Sequence, residues 1–185
     1  MINDLLSEAG KSMDKAVESL QSDLASMRTG RASPGLVNKL LVNYYGTPTQ
    51  LQELALVSVP EAQLITIRPY DPGALKEIER AILQSDLGMT PNNDGKLIRL
   101  QVPSLTEERR RELTKAVTKR AEEARVSIRN SRRACLEDMK NFEKEKMITE
   151  DEFYHGREEV QKLTDRYIKK VDEIAAAKEK ELLEV

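Results

Sequence analysis

The chain has 185 residues, 30 Lys plus Arg against 32 Asp plus Glu, and a formal net charge of −2, a sum that does not suggest a nucleic-acid binder. With 34% charged residues, 4% aromatic residues and no Trp, the composition speaks against a thick globule and favours long helices with charged solvent faces. One cysteine, Cys135, excludes an internal disulfide framework and favours a reducing compartment. Met1-Ile2-Asn3-Asp4 places an acid where a signal peptide carries positive charge, and no stretch approaches the roughly 18–20 apolar residues of a membrane span. A cytoplasmic protein with no membrane partner is expected.

Apolar residues at Leu6, Ala9, Met13, Ala16, Val17, Leu20, Leu24 and Met27 step by three and four, which predicts a first amphipathic helix stopped by Gly30 and Pro34. The region 31–104 changes character. It carries Pro48, Pro60, Pro69, Pro72, Pro91 and Pro103, and short β-type runs at 42–45, 56–59, 64–67 and 97–102. Residues 74–85, with Leu75, Ile78, Ile82 and Leu83 on one side, predict an intervening helix.

From Leu105 the helical period returns. Thr106-Glu107-Glu108 predicts a helix start, because the hydroxyl can cap free N–H groups and the acids complement the helix dipole. The stripe Leu113, Val117, Ala121, Ala124, Ile128, Cys135, Met139 and Phe142 carries it for about 40 residues, or ~60 Å. Thr149-Glu150-Asp151-Glu152 has capping-box character and opens a third helix along Val160, Leu163, Tyr167, Val171, Ile174 and Leu182. The expected class is therefore α+β: residues 1–30 and 105–185 form an antiparallel three-helix bundle, and residues 31–104 form an inserted α/β domain. The two chain crossings, near 30–34 and 103–106, form a double hinge at Gly30, Pro34, Gly35, Pro103 and Ser104.

The small net charge hides opposed blocks. Residues 105–135 hold ten cations and five acids, whereas residues 136–185 hold ten cations and fifteen acids. On a wheel of about 100° per residue, Arg111, Lys115, Arg125, Arg129, Arg132 and Arg133 share roughly a 100° arc beside the apolar stripe. Glu122 interrupts that arc, and Arg125, Arg129 and Arg132 have no acid four residues on. The planar fork of arginine suits phosphate, so a structured RNA is the natural ligand of such a ridge.

Catalytic signals are weak. His155 reads as an exposed polar residue and Cys135 as core packing. Gly88 to Leu97 falls short of a phosphate loop: six residues separate the glycines where four are needed, and Leu97 stands where a magnesium-binding hydroxyl belongs. No metal-ligand spacing is present. An enzyme, a cofactor and a small-molecule substrate are not expected.

Five words in order along the chain carry a resemblance: Met27-Arg28-Thr29-Gly30-Arg31-Ala32-Ser33-Pro34, Tyr44-Tyr45-Gly46-Thr47-Pro48-Thr49, Ser85-Asp86-Leu87-Gly88, Leu105-Thr106-Glu107-Glu108-Arg109-Arg110 and Val126-Ser127-Ile128-Arg129-Asn130-Ser131-Arg132-Arg133. Over essentially its whole length the sequence resembles the bacterial ribosome recycling factor family. The resemblance implies an L-shaped, tRNA-like outline with a flexible elbow. It implies action with elongation factor G and GTP on the post-termination ribosome, splitting it into subunits with release of mRNA and tRNA, the factor itself being a monomer and not the GTPase. It also implies ribosomal-RNA contacts of the large subunit at Arg129, Arg132 and Arg133, with Arg125 on the same arc, and matches at Arg28 and Arg31. Arg109 and Arg110 match as RNA contacts or as part of the helix start. Ala134-Cys135-Leu136 and the segment Asp151 to Gly156 depart from the family pattern and bear on local packing only. The alternative is a helical-bundle adaptor or chaperone, which predicts exposed apolar surface along the bundle and salt-insensitive binding.

Overall fold

The computed structural model describes residues 1–184. The class is α+β. Two compact units are present: Met1–Leu24 with Thr114–Lys180, and Ala25–Leu113 with the chain from Glu181.

The first unit is helical. Helix α1 (Ile2–Ala25), most of α4 (Glu107–Lys144) and most of α5 (Glu150–Leu183) supply it. Their directions follow from the pairs they make. Leu5 meets Cys135, Ser12 meets Ser131 and Asp23 meets Arg120, so α1 and α4 are antiparallel. Arg132 meets Gln161 and Arg125 meets Asp172, so α4 and α5 are antiparallel too. Most of the apolar stripe positions read from sequence are buried: Ala9, Met13, Val17, Leu20 and Leu24 from α1, Val117, Ala121, Ala124, Ile128, Cys135 and Met139 from α4, and Val160 and Val171 from α5, whereas Leu6, Ala16, Phe142, Leu163, Tyr167 and Ile174 are half-buried and Ala175, outside the expected stripe, is buried. Helix α5 starts on a reciprocal capping box. The Thr149 N–H donates to Glu152 Oε2 at 2.7 Å, and the Glu152 N–H donates to Thr149 Oγ1 at 3.1 Å. Close packing near this end requires a small residue at Gly156, where an added Cβ would lie 2.9 Å from Met139 Sδ and 3.3 Å from Ile2 Cγ2.

The second unit is built on a sheet. Strands β3 (Ala55–Glu61), β4 (Leu64–Pro69), β5 (Pro91–Asn93) and β6 (Ile98–Gln101) form an antiparallel sheet in the order β3-β4-β6-β5. A separate hairpin pairs β1 (Leu41–Tyr44) with β2 (Thr47–Gln50), followed by the short α2 (Leu51–Leu54). Helix α3 (Leu75–Gln84) packs on β1 and β5. Ile65 and Ile67 from β4, Ile98 and Leu100 from β6, and Ile78 and Ile82 from α3 are fully buried in its core. The sequence reading anticipates four of the six strands and α3. It misses β2 and β5, both proline-containing, because proline lowers strand propensity and such strands read as turns. Glycines make the turns after β1 and before β6: Gly46 and Gly95 adopt φ of +85° and +92°.

The segments expected to act as hinges both lie in the second unit and are tied to the β3–β4 turn. Ala32 N–H donates to Ala62 O at 2.7 Å and Val102 N–H to Gln63 O at 2.8 Å. The Gln63 side-chain amide reaches Ser104 Oγ at 3.0 Å and Gly30 O at 3.4 Å. Gly30 is buried with φ of +77°, which glycine adopts without strain. Gly35 is in a different position: a Cβ there would lie 2.7 Å from Ala25 O, so its need for glycine is steric.

Candidate nucleic-acid interface

Helix α4 begins as its sequence implies. Thr106 Oγ1 accepts from the Arg109 N–H at 3.1 Å and Thr106 O from the Arg110 N–H at 2.9 Å, satisfying two donors that a helix start leaves free. The Arg109 side chain pairs with Glu112 at 2.9 Å, and Arg111 pairs with Glu107 at 2.7 Å. Arg110 is half-buried, with an occluded Nε.

The eight candidate arginines divide between the two units. Arg28, Arg31, Arg109 and Arg110 lie in the sheet-containing unit. There Arg28 Nη1 donates to Leu87 O, bracing the loop that follows α3, and Arg31 pairs with Glu184 at 3.8 Å. Arg125, Arg129, Arg132 and Arg133 lie on α4 in the helical unit.

These four differ in how their charge is met, which corrects an expectation. The absence of acids at i+4 does not leave Arg125 and Arg129 unpaired. Asp172 of α5 accepts from Arg125 Nη2 at 2.7 Å and Nε at 2.9 Å, and Glu122 accepts from Arg125 and Arg129 at 3.1 Å each. The acids come from the N-terminal side of the arginines and from a neighbouring helix, and neither is captured by an i+4 count. Arg129 and Arg125 together hold the Glu122 carboxyl below its ordinary range, and Asp172 in turn raises the Arg125 guanidinium. Arg132 is held differently: its Nη1 donates to the neutral Gln161 Oε1 at 2.9 Å. Arg133 is exposed, with no ion-pair or hydrogen-bond partner among the described residues. Among these four arginines the uncompensated positive charge is thus concentrated at Arg132 and Arg133.

Gln161 and Asp172 escaped the sequence reading. They lie eleven residues apart on one face of α5, a legible spacing, but their partners depend on the register between α4 and α5.

The candidate chemical groups weighed from sequence lie apart: Cys135 is on α4, His155 on α5 and Gly88–Leu97 in the sheet-containing unit. Cys135 is buried, its thiol pushed up to about 11 by burial and the nearby Asp138 and Glu8 charges, and its Sγ–H faces Leu5 O at 3.7 Å. His155 is exposed on α5. The Gly88–Leu97 segment is occupied by its own contacts: Asp94 Oδ1 accepts from the Lys96 and Leu97 N–H groups at 2.9 Å each, and its Oδ2 pairs with Arg99 at 2.7 Å. Among the described residues no cluster of three His, Cys, Asp or Glu side chains could hold a metal, and no helix is long and apolar enough to cross a membrane.

Comparison with known proteins bears on this arrangement. The family model described as ribosome recycling factor matches residues 20–183. The ribosome-recycling factor of Carboxydothermus hydrogenoformans is 55% identical over 185 residues, covering all of both chains, and that of Geobacillus kaustophilus is 54% identical over the same span. A solution structure of ribosome recycling factor aligns with a TM-score of 0.80 at 43% identity, over 100% of this chain and 98% of that one. A second structure, of the T. thermophilus ribosome recycling factor and E. coli elongation factor G bound to the E. coli post-termination complex, aligns with a TM-score of 0.71 at 43% identity over 99% of each chain. Full-length matches at this identity leave one conclusion: the chain belongs to the ribosome recycling factor family.

Proposed function

We propose that this protein recycles the post-termination ribosome as a non-enzymatic factor of the cytoplasm, docking through the arginine face of α4 on large-subunit ribosomal RNA. Elongation factor G supplies GTP hydrolysis, and the outcome is separation of the subunits with release of mRNA and tRNA. The homologue bound with elongation factor G to a post-termination complex supports the two partners. For the docking surface, one observation carries the reading: Arg132 and Arg133 share a face of α4, and no carboxylate among the described residues neutralises either. Cations left uncompensated on a rigid helix are available to phosphates, and releasing the counterions that phosphates hold contributes to binding.

Arg129 and Arg125 extend the same ridge with partly compensated charge, while Arg28, Arg31, Arg109 and Arg110 are further RNA contacts from the other unit. The reading also takes residues 1–30 and 105–185 as the rigid body and 31–104 as the arm that elongation factor G displaces, with bending near 30–34 and 103–106.

The test is cosedimentation with vacant ribosomes across a salt series. Three to five phosphate contacts give a slope in log affinity of roughly 2–5 at about 0.7–0.9 per contact. Arg132→Ala should lose roughly 10- to 100-fold in ribosome affinity, as for a charged hydrogen bond, with helicity unchanged. Equal affinity for variant and parent removes the docking surface. Subunit splitting by elongation factor G and GTP that proceeds equally well without the protein removes the function.

A further inference from the structure

Between α4 and α5 lies a groove of about 630 Å³ lined by Arg132, Leu136, Tyr154, Arg157, Gln161 and Lys162, with Glu158 the one carboxylate among its lining residues. It combines two surfaces that seldom serve one purpose. Leu136 and the ring of Tyr154, 54% exposed, offer an apolar wall, and three cations share the same opening. Lys162 pairs with Glu159 at 3.3 Å. Arg157 is exposed and has no ion-pair or hydrogen-bond partner among the described residues.

Arg132 is placed without being neutralised. Gln161 Nε2 donates to Asp165 Oδ1 at 2.9 Å, which turns the amide oxygen toward Arg132 Nη1, also 2.9 Å away. A carboxylate in Gln161's place would fix the guanidinium and cancel its charge, whereas the amide only fixes it. The Arg132 Nε–H is occluded and has no acceptor.

We infer that this groove takes one unstacked nucleotide of large-subunit ribosomal RNA, its phosphate between Arg132 and Arg157 and its base against Tyr154, with Gln161 as the positioning residue for Arg132. The inference rests on the RNA-docking reading above and extends that interface from α4 onto α5. A flat base needs the aromatic wall and a phosphate needs the cations, and a nucleotide brings both together. An acidic peptide would use only the cations. An apolar helix would leave Arg132 and Arg157 buried without acceptors, at a desolvation cost. Paired RNA keeps its bases stacked, so the ligand is a loop or bulge, the form in which proteins stack RNA bases on aromatic side chains. Continuity with the ridge favours the same ligand, since Arg132 belongs to both surfaces.

Binding of the full-length protein to vacant large subunits, measured across a salt series, tests this. Tyr154→Ala should weaken binding roughly 5- to 150-fold, as for the loss of one stacked base, without changing the salt slope, and Tyr154→Phe should bind as the parent. Arg157→Ala should lower the slope by about 0.7–0.9, the share of one phosphate contact. Gln161→Glu should mimic loss of the Arg132 charge, with helicity retained because the site is exposed. Parental affinity and slope for Tyr154→Ala and Arg157→Ala, while Arg133→Ala loses binding, would overturn the groove and leave the ridge standing. Parental binding by Arg132→Ala and Arg133→Ala would remove ridge and groove together. A defect confined to splitting by elongation factor G, at parental subunit affinity, would assign the groove to a protein partner and overturn the inference.

Discussion

Arg125 and Asp172 face each other across α4 and α5, two guanidinium nitrogens meeting one carboxylate oxygen at 2.7 and 2.9 Å. This pair makes Arg125 unlike Arg132 and Arg133, although all three lie on one face of α4. Part of the Arg125 charge is spent inside the protein. Arg125→Ala should therefore cost less ribosome affinity than Arg133→Ala, while lowering stability by up to about 1 kcal/mol, the range of a partly exposed ion pair. Parallel ribosome-binding and thermal-melting measurements on the two variants check this inverse ordering.

Gly35 tests whether a glycine near the crossings serves freedom or fit. Its Cβ would meet the Ala25 carbonyl oxygen at 2.7 Å, and a backbone atom cannot rotate away as a side chain can. Gly35→Ala should cost about 1–3 kcal/mol, the range for overpacking a close contact. Urea unfolding gives the value directly, and an unchanged midpoint would mean that the local backbone relaxes at little cost.

Asp94 predicts an acid-side pH dependence. The N–H groups of Leu97 and Lys96, then the Arg99 guanidinium, hold its carboxyl down to about 2 from an ordinary 3.8. A depressed folded-state value stabilises the protein above the unfolded value and loses that contribution as the pH falls through the folded one. The difference in melting temperature between the parent and Asp94→Asn should be largest above pH 4 and shrink as the pH falls to about 2. A difference that stays constant across this range would show that the carboxylate charge contributes nothing there.

Cys135 should be inert while the protein is folded. Burial, reinforced by Asp138 and Glu8, pushes its thiol up to about 11, and the thiolate is the reactive form. Alkylation by iodoacetamide at pH 8 should be far slower than in urea, where the thiol recovers an ordinary value. Equal rates would show that this part of the helical unit opens readily.

Sequence alone determined the three long helices and the starts of α4 and α5. Stripes at spacings of three and four became the buried faces of α1, α4 and α5, and Thr106 and Thr149 cap helices as their neighbours imply, because these features arise between residues a few positions apart. The arginine arc was equally legible, since helical spacing places Arg125, Arg129, Arg132 and Arg133 on one side. Only tertiary structure decided which of them keep their charge. Asp172 and Gln161 lie far along the chain from their partners, and the register of α5 against α4 sets a carboxylate opposite Arg125 and an amide opposite Arg132. The same holds for Gly35, whose closeness to Ala25 is a matter of packing, and for β2 and β5, where pairing with neighbouring strands overrides the weak propensity of proline-containing runs.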